Sequence, residues 1–143
     1  MGERRQGRPV SGEEVMRQFL PASPFPGHLG IRLVAMGAGS ATLELPFAEP
    51  LATTGAVVHG GAVASLIDTA AMVAAWSGAE VPDNLRGTTV GLTVSYLAPA
   101  DGEDLRATAT VLRRGRSIVH VDVEVRVASG AAVAKGLVTY KLG

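Results

Sequence analysis

The chain contains no cysteine. That absence excludes disulfide frameworks, thiolate metal sites and cysteine nucleophiles together. Net charge is also absent, with 13 Lys and Arg against 13 Asp and Glu, so bulk electrostatics give no pull towards nucleic acid or an anionic membrane. Aromatic residues supply only 4% of a chain that is 47% hydrophobic. The core therefore has to be built from Ala, Val and Leu, small side chains that suit a helix closely wrapped by a sheet. The longest apolar run, residues 62–76, is interrupted by Ser65, Asp68 and Thr69 and is shorter than the ~20 residues a membrane span needs. The N-terminal "MGERRQGRPVSGEEVMRQF" has charges but lacks the apolar stretch of a secretory signal. The expectation is a soluble, cytoplasmic protein with no nucleic-acid or membrane partner.

What is present reads as one domain, since 143 residues can bury about two thirds of their unfolded surface without cross-links. Residues 1–10, rich in Arg and Gly, are expected to be a flexible lead-in, and residues 11–143 the domain. Ser11 followed by Glu14 is a capping-box pattern that starts a short helix, with Pro21, Pro24 and Pro26 placed to end it. "HLGIRLVAMGAGSATLELPF" predicts a hairpin with strands near 30–36 and 40–47, and residues 48–58 predict a loop. A long helix follows from about Gly61 to Ser77. Four strands come after it, of which "SIVHVDVEVRV" has the cleanest alternation. In "TTVGLTVSYL" strict alternation puts Val90, Leu92, Val94 and Tyr96 on one face and Thr89 on the other, polar face. Short connections between consecutive strands favour an antiparallel sheet. A helix apolar on nearly all sides cannot turn its back to water, so the sheet must curl around it or a partner must cover it.

The stretch "VVHGGAVASLIDTAAMVAAWS" holds the chemistry. His59, Gly60 and Gly61 lie where a loop meets the helix, and the first turn there offers unpaired N–H groups to an oxygen acquiring negative charge. Asp68, a carboxylate inside an apolar run, is a candidate nucleophile or general base. Eight residues separate it from Gly60, roughly 12 Å of helix rise, too far for both groups to act on one carbon from one chain. If both act, two antiparallel helices related by a two-fold axis must bring them together, and the protein is at least a dimer. His59 reads mainly as a residue that fixes the helix start.

Together with "VSYLAPA" and "LRRGRSIVHVDVEV", these segments resemble the hotdog-fold acyl-CoA thioesterases of the phenylacetate-degradation type, from about His28 to Leu142. The resemblance implies an α+β hotdog fold, an antiparallel sheet wrapped around one long central helix, assembled as a homodimer or homotetramer. It implies hydrolysis of acyl-CoA, with the Gly60 N–H polarising the thioester carbonyl and Asp68 of the opposite subunit as nucleophile or base. Thr89 takes the position of a polar residue that helps place water. Thr53 stands where the family commonly has Asn or Gln, and a hydroxyl cannot copy an amide's combined donor and acceptor. Arg113, Arg114 and Arg116, around Gly115, take the place of a basic turn near the CoA nucleotide, where the guanidinium fork suits phosphate; Gly61 joins them as a substrate-side residue. No metal and no cofactor is expected, CoA being part of the substrate. Two alternatives stand beside hydrolysis: a hydratase or dehydratase of the same fold, for which His59 is the candidate base, and a non-catalytic acyl-CoA-binding dimer, which the Thr53 departure keeps open.

Overall fold

The computed structural model describes residues 11–143; the expected lead-in over residues 1–10 lies outside the described residues. Helix α1 (Gly12–Ala22) starts where Ser11 Oγ accepts the Glu14 N–H at 3.1 Å, as capping chemistry requires. Pro21 does not stop it: the helix runs through to Ala22, and a second short helix, α2 (Pro24–Leu29), begins with Pro24 in its first turn. Pro21 has no N–H to give the Arg17 carbonyl and so weakens the last turn of α1, whereas a proline at the start of the next helix loses no hydrogen bond. Strands β1 (Arg32–Gly37) and β2 (Ser40–Leu45) form the expected hairpin, starting later than 30 because α2 reaches Leu29. The expected loop over 48–58 holds a 3-10 turn (Glu49–Leu51) and a two-stranded ribbon, β3 (Ala52–Thr54) and β4 (Val57–Val58). The long helix α3 spans Gly60–Trp76, followed by β5 (Gly87–Tyr96), β6 (Leu105–Arg114), β7 (Ile118–Val127) and β8 (Ala132–Leu142).

The six long strands make one antiparallel sheet in the order β1-β2-β6-β7-β8-β5, which leaves β1 and β5 as its edges. Alternation holds where the sheet faces α3: Leu105, Ala107 and Ala109 of β6 and Val119, Val121, Val123, Val125 and Val127 of β7 are buried. The opposite face carries ion pairs, with Glu44 between Arg32 and Arg106 and Lys135 on Asp122 at 2.7 Å. The Arg32 and Arg106 guanidiniums hold the Glu44 carboxyl below the usual carboxylate range; pairs this exposed add little stability.

Helix α3 fills the concave side. Eleven of its 17 residues are buried, among them Leu66, Ile67, Ala70, Ala71, Val73, Ala74 and Ala75. Small residues on both surfaces let helix and sheet approach closely. At Gly136 of β8 a Cβ would stand 2.5 Å from Ile67 Cγ2, so the helix rests on bare backbone there. What stays partly open is one stripe of α3, formed by Gly61, Ala64, Ser65, Asp68 and Met72.

The C-terminal end of α3 is heavily tied down. Ser77 N–H and Oγ both donate to Val73 O, Ala79 N–H to Trp76 O and Gly39 N–H to Ser77 O. Arg114 adds two charge-assisted bonds, Nη1 to Ala75 O at 2.7 Å and Nη2 to Ser77 O at 3.1 Å, placing a cation at the negative end of the helix. Glu13 of α1 accepts the Gly78 N–H at 2.6 Å. Nearby, the buried Trp76 Nε1–H donates to the Tyr140 hydroxyl at 3.0 Å.

Two stability predictions follow from these contacts. Arg114→Ala should cost about 1–2 kcal/mol by removing hydrogen bonds from a charged donor, lowering the melting temperature by roughly 3–8 °C in a calorimetric scan. Burial pushes the Tyr140 phenol above its ordinary value of 10.0. Between the unfolded and folded values the native state holds a proton that the unfolded state has lost, so stability falls as pH rises through that window. Denaturant titrations should therefore show an alkaline loss starting near pH 10 that is smaller in Tyr140→Phe.

Candidate active site

The first group of expected site residues collects at the N-terminus of α3. His59 is its N-cap, with Nδ1 accepting the Gly61 N–H at 2.8 Å. His59 O accepts from the Ala62 N–H at 2.9 Å and from the Val63 N–H at 3.2 Å. The Gly60 N–H is the remaining donor of the first turn and has no acceptor among the described residues. A groove of about 460 Å³ opens beside it, lined by Thr53, Val57, Val63, Tyr96, Pro99 and Val133 among others. Thr53 and Gly60 are therefore neighbours of one apolar groove. The Tyr96 hydroxyl donates to Gly60 O at 2.7 Å, and its ring would stand 3.2 Å from a Cβ at Gly60.

The second group lies two turns along the helix. The Thr89 hydroxyl donates to Asp68 Oδ1 at 2.6 Å, in a half-buried setting on the open stripe of α3. This contact overturns the expected facing of β5. Register along β5 and β8 pairs Thr89 with Tyr140 and Gly91 with Thr139, which leaves Val90 as an unpaired extra residue. Such a bulge turns the preceding side chain to the other face. Thr89 therefore shares the helix-facing side with Leu92, Val94 and Tyr96, whose partners are Val138, Gly136 and Ala134, and Val90 drops out of that row. With Oδ1 engaged by Thr89, Oδ2 is the Asp68 oxygen left to meet another group.

Within the chain the two groups remain separate. Their helix positions differ by eight residues, roughly 12 Å of rise, and no contact joins Gly60 to Asp68. In chemical terms one group is a backbone donor of the kind that suits an oxyanion, and the other a hydroxyl-oriented carboxylate of the kind that suits a base or nucleophile. Among the described residues there is no cluster of His, Asp and Glu able to hold a metal ion.

The basic turn forms a third feature. Arg114 and Arg116 line a groove of about 500 Å³ together with Glu80, Asp83, Gly115 and Ser117. Arg114, expected to be a phosphate ligand, has its guanidinium on the α3 carbonyls instead; Arg113 and Arg116 are exposed on either side. Two cations missed by sequence reasoning sit at the same end of the sheet. Lys141 pairs across the sheet with Ile118, Gly143 N–H donates to Arg86 O, and Arg86 and Lys141 line a common hollow. Only strand topology brings them there, so no local motif could have found them. Tyr96 was legible only as one more apolar strand residue.

Comparison with known proteins places the chain in a family. The thioesterase superfamily profile matches residues 55–134, a segment that holds Gly60, Asp68, Thr89 and the basic turn. The chain is 32% identical over 136 residues to human acyl-coenzyme A thioesterase 13, covering 91% of this chain and 93% of that protein. It is 31% identical over 98 residues to the medium/long-chain acyl-CoA thioesterase YigI of Escherichia coli, covering 61% of this chain and 63% of that one. Among solved structures, a thioesterase family protein from Silicibacter pomeroyi superposes with a TM-score of 0.84 at 25% identity, over 93% of this chain and 100% of that one. The PaaI protein from the phenylacetic acid degradation operon of E. coli gives 0.70 at 26% identity, over 81% and 86%. With its antiparallel sheet around one central helix, the chain belongs to the thioesterase superfamily and is a hotdog-fold thioester hydrolase.

Proposed function

We propose that the substrate is an acyl-CoA thioester and that hydrolysis takes place at a site shared between two copies of the chain. The observation that carries this reading is the Thr89–Asp68 hydrogen bond, which holds a carboxylate on the open stripe of a helix whose first turn keeps one free N–H. The likeness to acyl-coenzyme A thioesterase 13 and YigI supports CoA as the thiol. Arg113, Arg116, Arg86 and Lys141 supply the positive charge that its phosphates require. Arg114 serves the helix end.

The two-copy site rests on three features. Helix rise separates Gly60 from Asp68 within one chain. Strand β5 is a ten-residue edge with unpaired backbone along its outer side, a natural template for pairing with a second copy. Much of its apolar surface is uncovered: Val90, Leu92 and Tyr96, with Leu97 just beyond the strand, are exposed, Tyr96 at 56%. A two-fold axis beside β5 sets two α3 helices antiparallel, bringing Gly60 of the partner subunit towards Asp68.

In the proposed reaction the thioester carbonyl oxygen accepts the Gly60 N–H while Asp68 Oδ2 either deprotonates a water or attacks the carbonyl carbon itself. A C–O bond forms and the carbonyl electron pair moves onto the oxyanion held by Gly60. The pair returns, the C–S bond breaks, and the CoA thiolate leaves and takes up a proton. By the water route the acid is released directly; by the nucleophilic route a mixed anhydride with Asp68 forms and water then hydrolyses it. Anchoring of the His59 ring as the helix cap favours hydrolysis over hydration by a His base.

The test is free-thiol release across a panel of acyl-CoAs. Wild type should release CoA from at least one, and absence of release from all of them at high enzyme concentration would sink the proposal. Asp68→Asn should lower turnover by about 10²–10⁴-fold while eluting at the same size in gel filtration. Full activity in that variant removes Asp68 from the mechanism.

A further inference from the structure

We propose that Tyr96, acting with His59, is the positioning residue that aims the Gly60 N–H, by clamping the Gly60–Gly61 peptide at both of its ends. The inference rests on the reading above, in which that N–H holds the oxyanion, and explains why this donor, among those of the first turn, is the one available.

A helix start leaves several N–H groups unpaired, and which of them meets a substrate depends on the others finding acceptors. Here the accounting is complete for the first turn. The Gly61 N–H goes to His59 Nδ1, and the Ala62 and Val63 N–H groups both go to His59 O. The remaining donor is Gly60. Its direction depends on how the turn is held, and a backbone at a glycine pair swings easily. The peptide unit joining Gly60 to Gly61 is nevertheless fixed twice, its carbonyl by the Tyr96 hydroxyl at 2.7 Å and its N–H by the His59 ring at 2.8 Å. These partners come from different parts of the fold, Tyr96 from the last position of β5 and His59 from the residue before the helix. The helix start is thus tied to the same strand whose bulge carries Thr89.

The tyrosine ring also explains the glycine. It lies 3.2–3.3 Å from where a Cβ at Gly60 would be, tighter than an ordinary contact, so a side chain there would shift the ring by a few tenths of an ångström against the hydroxyl's hold on Gly60 O. Tyr96 is more than half exposed and lines the groove beside Thr53 and Val57. Burial alone gives no reason for a hydroxyl at this place, whereas a donor aimed at Gly60 O does.

Removing only the hydroxyl separates aim from packing. Tyr96→Phe keeps the ring and should lower kcat about tenfold, the effect of a misdirected oxyanion donor, with KM changed less than about twofold and the melting temperature nearly unchanged. A Tyr96→Phe loss confined to KM would make the ring a substrate contact and overturn the proposal. His59→Ala should lower kcat by a similar factor, and His59→Asn should restore most of it. Asparagine can accept the Gly61 N–H as a helix cap but cannot carry a proton at neutral pH. His59→Asn as inactive as His59→Ala would also overturn the clamp. Asp68→Asn assayed in parallel distinguishes the two levels of argument. Wild-type kcat in Tyr96→Phe beside an inactive Asp68→Asn removes the clamp and leaves the site; wild-type kcat in both removes the site and the clamp with it.

Discussion

Everything in this fold depends on enclosing α3, a helix of 17 residues with one charge in it. Such a helix has no polar face to show to water, and a single layer of sheet covers only one side of a cylinder. The chain curls its sheet around the helix and lays α1 and α2 along another part of it. Alanines and valines, rather than aromatics, make this close approach possible, with β8 reduced to glycine where Ile67 presses on it. The low aromatic content is thus a geometric requirement of the architecture.

The two ends of α3 are treated in opposite ways, and the proposed function draws on the difference. At the C-terminus carbonyls meet Ser77, Ala79, Gly39 and the Arg114 guanidinium. Partial desolvation of that arginine at the helix end presses its pKa below the ordinary value, as removing water from a cation does, and its carbonyl partners compensate for part of the lost water. At the N-terminus two glycines bring backbone to the surface and His59 takes up three of the four first-turn N–H groups. The C-terminal end, with the carbonyls of Val73, Ala75, Trp76 and Ser77 all engaged, is held as structure, whereas an end with one N–H left over can bind something. The dipole of the same helix favours negative charge at that open end.

The sequence made the frame of the fold legible because it rests on strong periodic signals: valines at every second position of β7, the apolar run of α3, and glycine-marked turns. It also pointed to Gly60 and Asp68, since a charge in an apolar helix and a glycine pair at its start are local oddities. What stayed hidden depends on contacts between distant segments. The bulge at Val90 is invisible in "TTVGLTV", where strict alternation points Thr89 away from the helix, and only the register with β8 turns it to Asp68. Arg114 looks like its neighbours Arg113 and Arg116 until α3 ends beside it. Pro21 marks the end of α1 only to within a residue, since the helix carries it in its last turn and stops at Ala22.

Strand β5 connects these points, because it carries a residue of each half of the proposed site. Thr89 near its start orients Asp68, and Tyr96 at its end holds Gly60. Seven residue steps separate them, roughly 23 Å of extended chain at 3.3 Å per residue, about twice the helix rise from Gly60 to Asp68. The two contacts therefore brace one strand against one helix at two heights, and they do so with the strand's inner face half uncovered. A strand in this position is suited to more than closing the core. Under the proposed two-fold axis its outer backbone edge would meet its own copy, so any shift in how two subunits pair would move Thr89 and Tyr96 together. Pairing and site geometry then become one variable, which is the physical reason a shared site on this fold would require the strand to be both edge and scaffold.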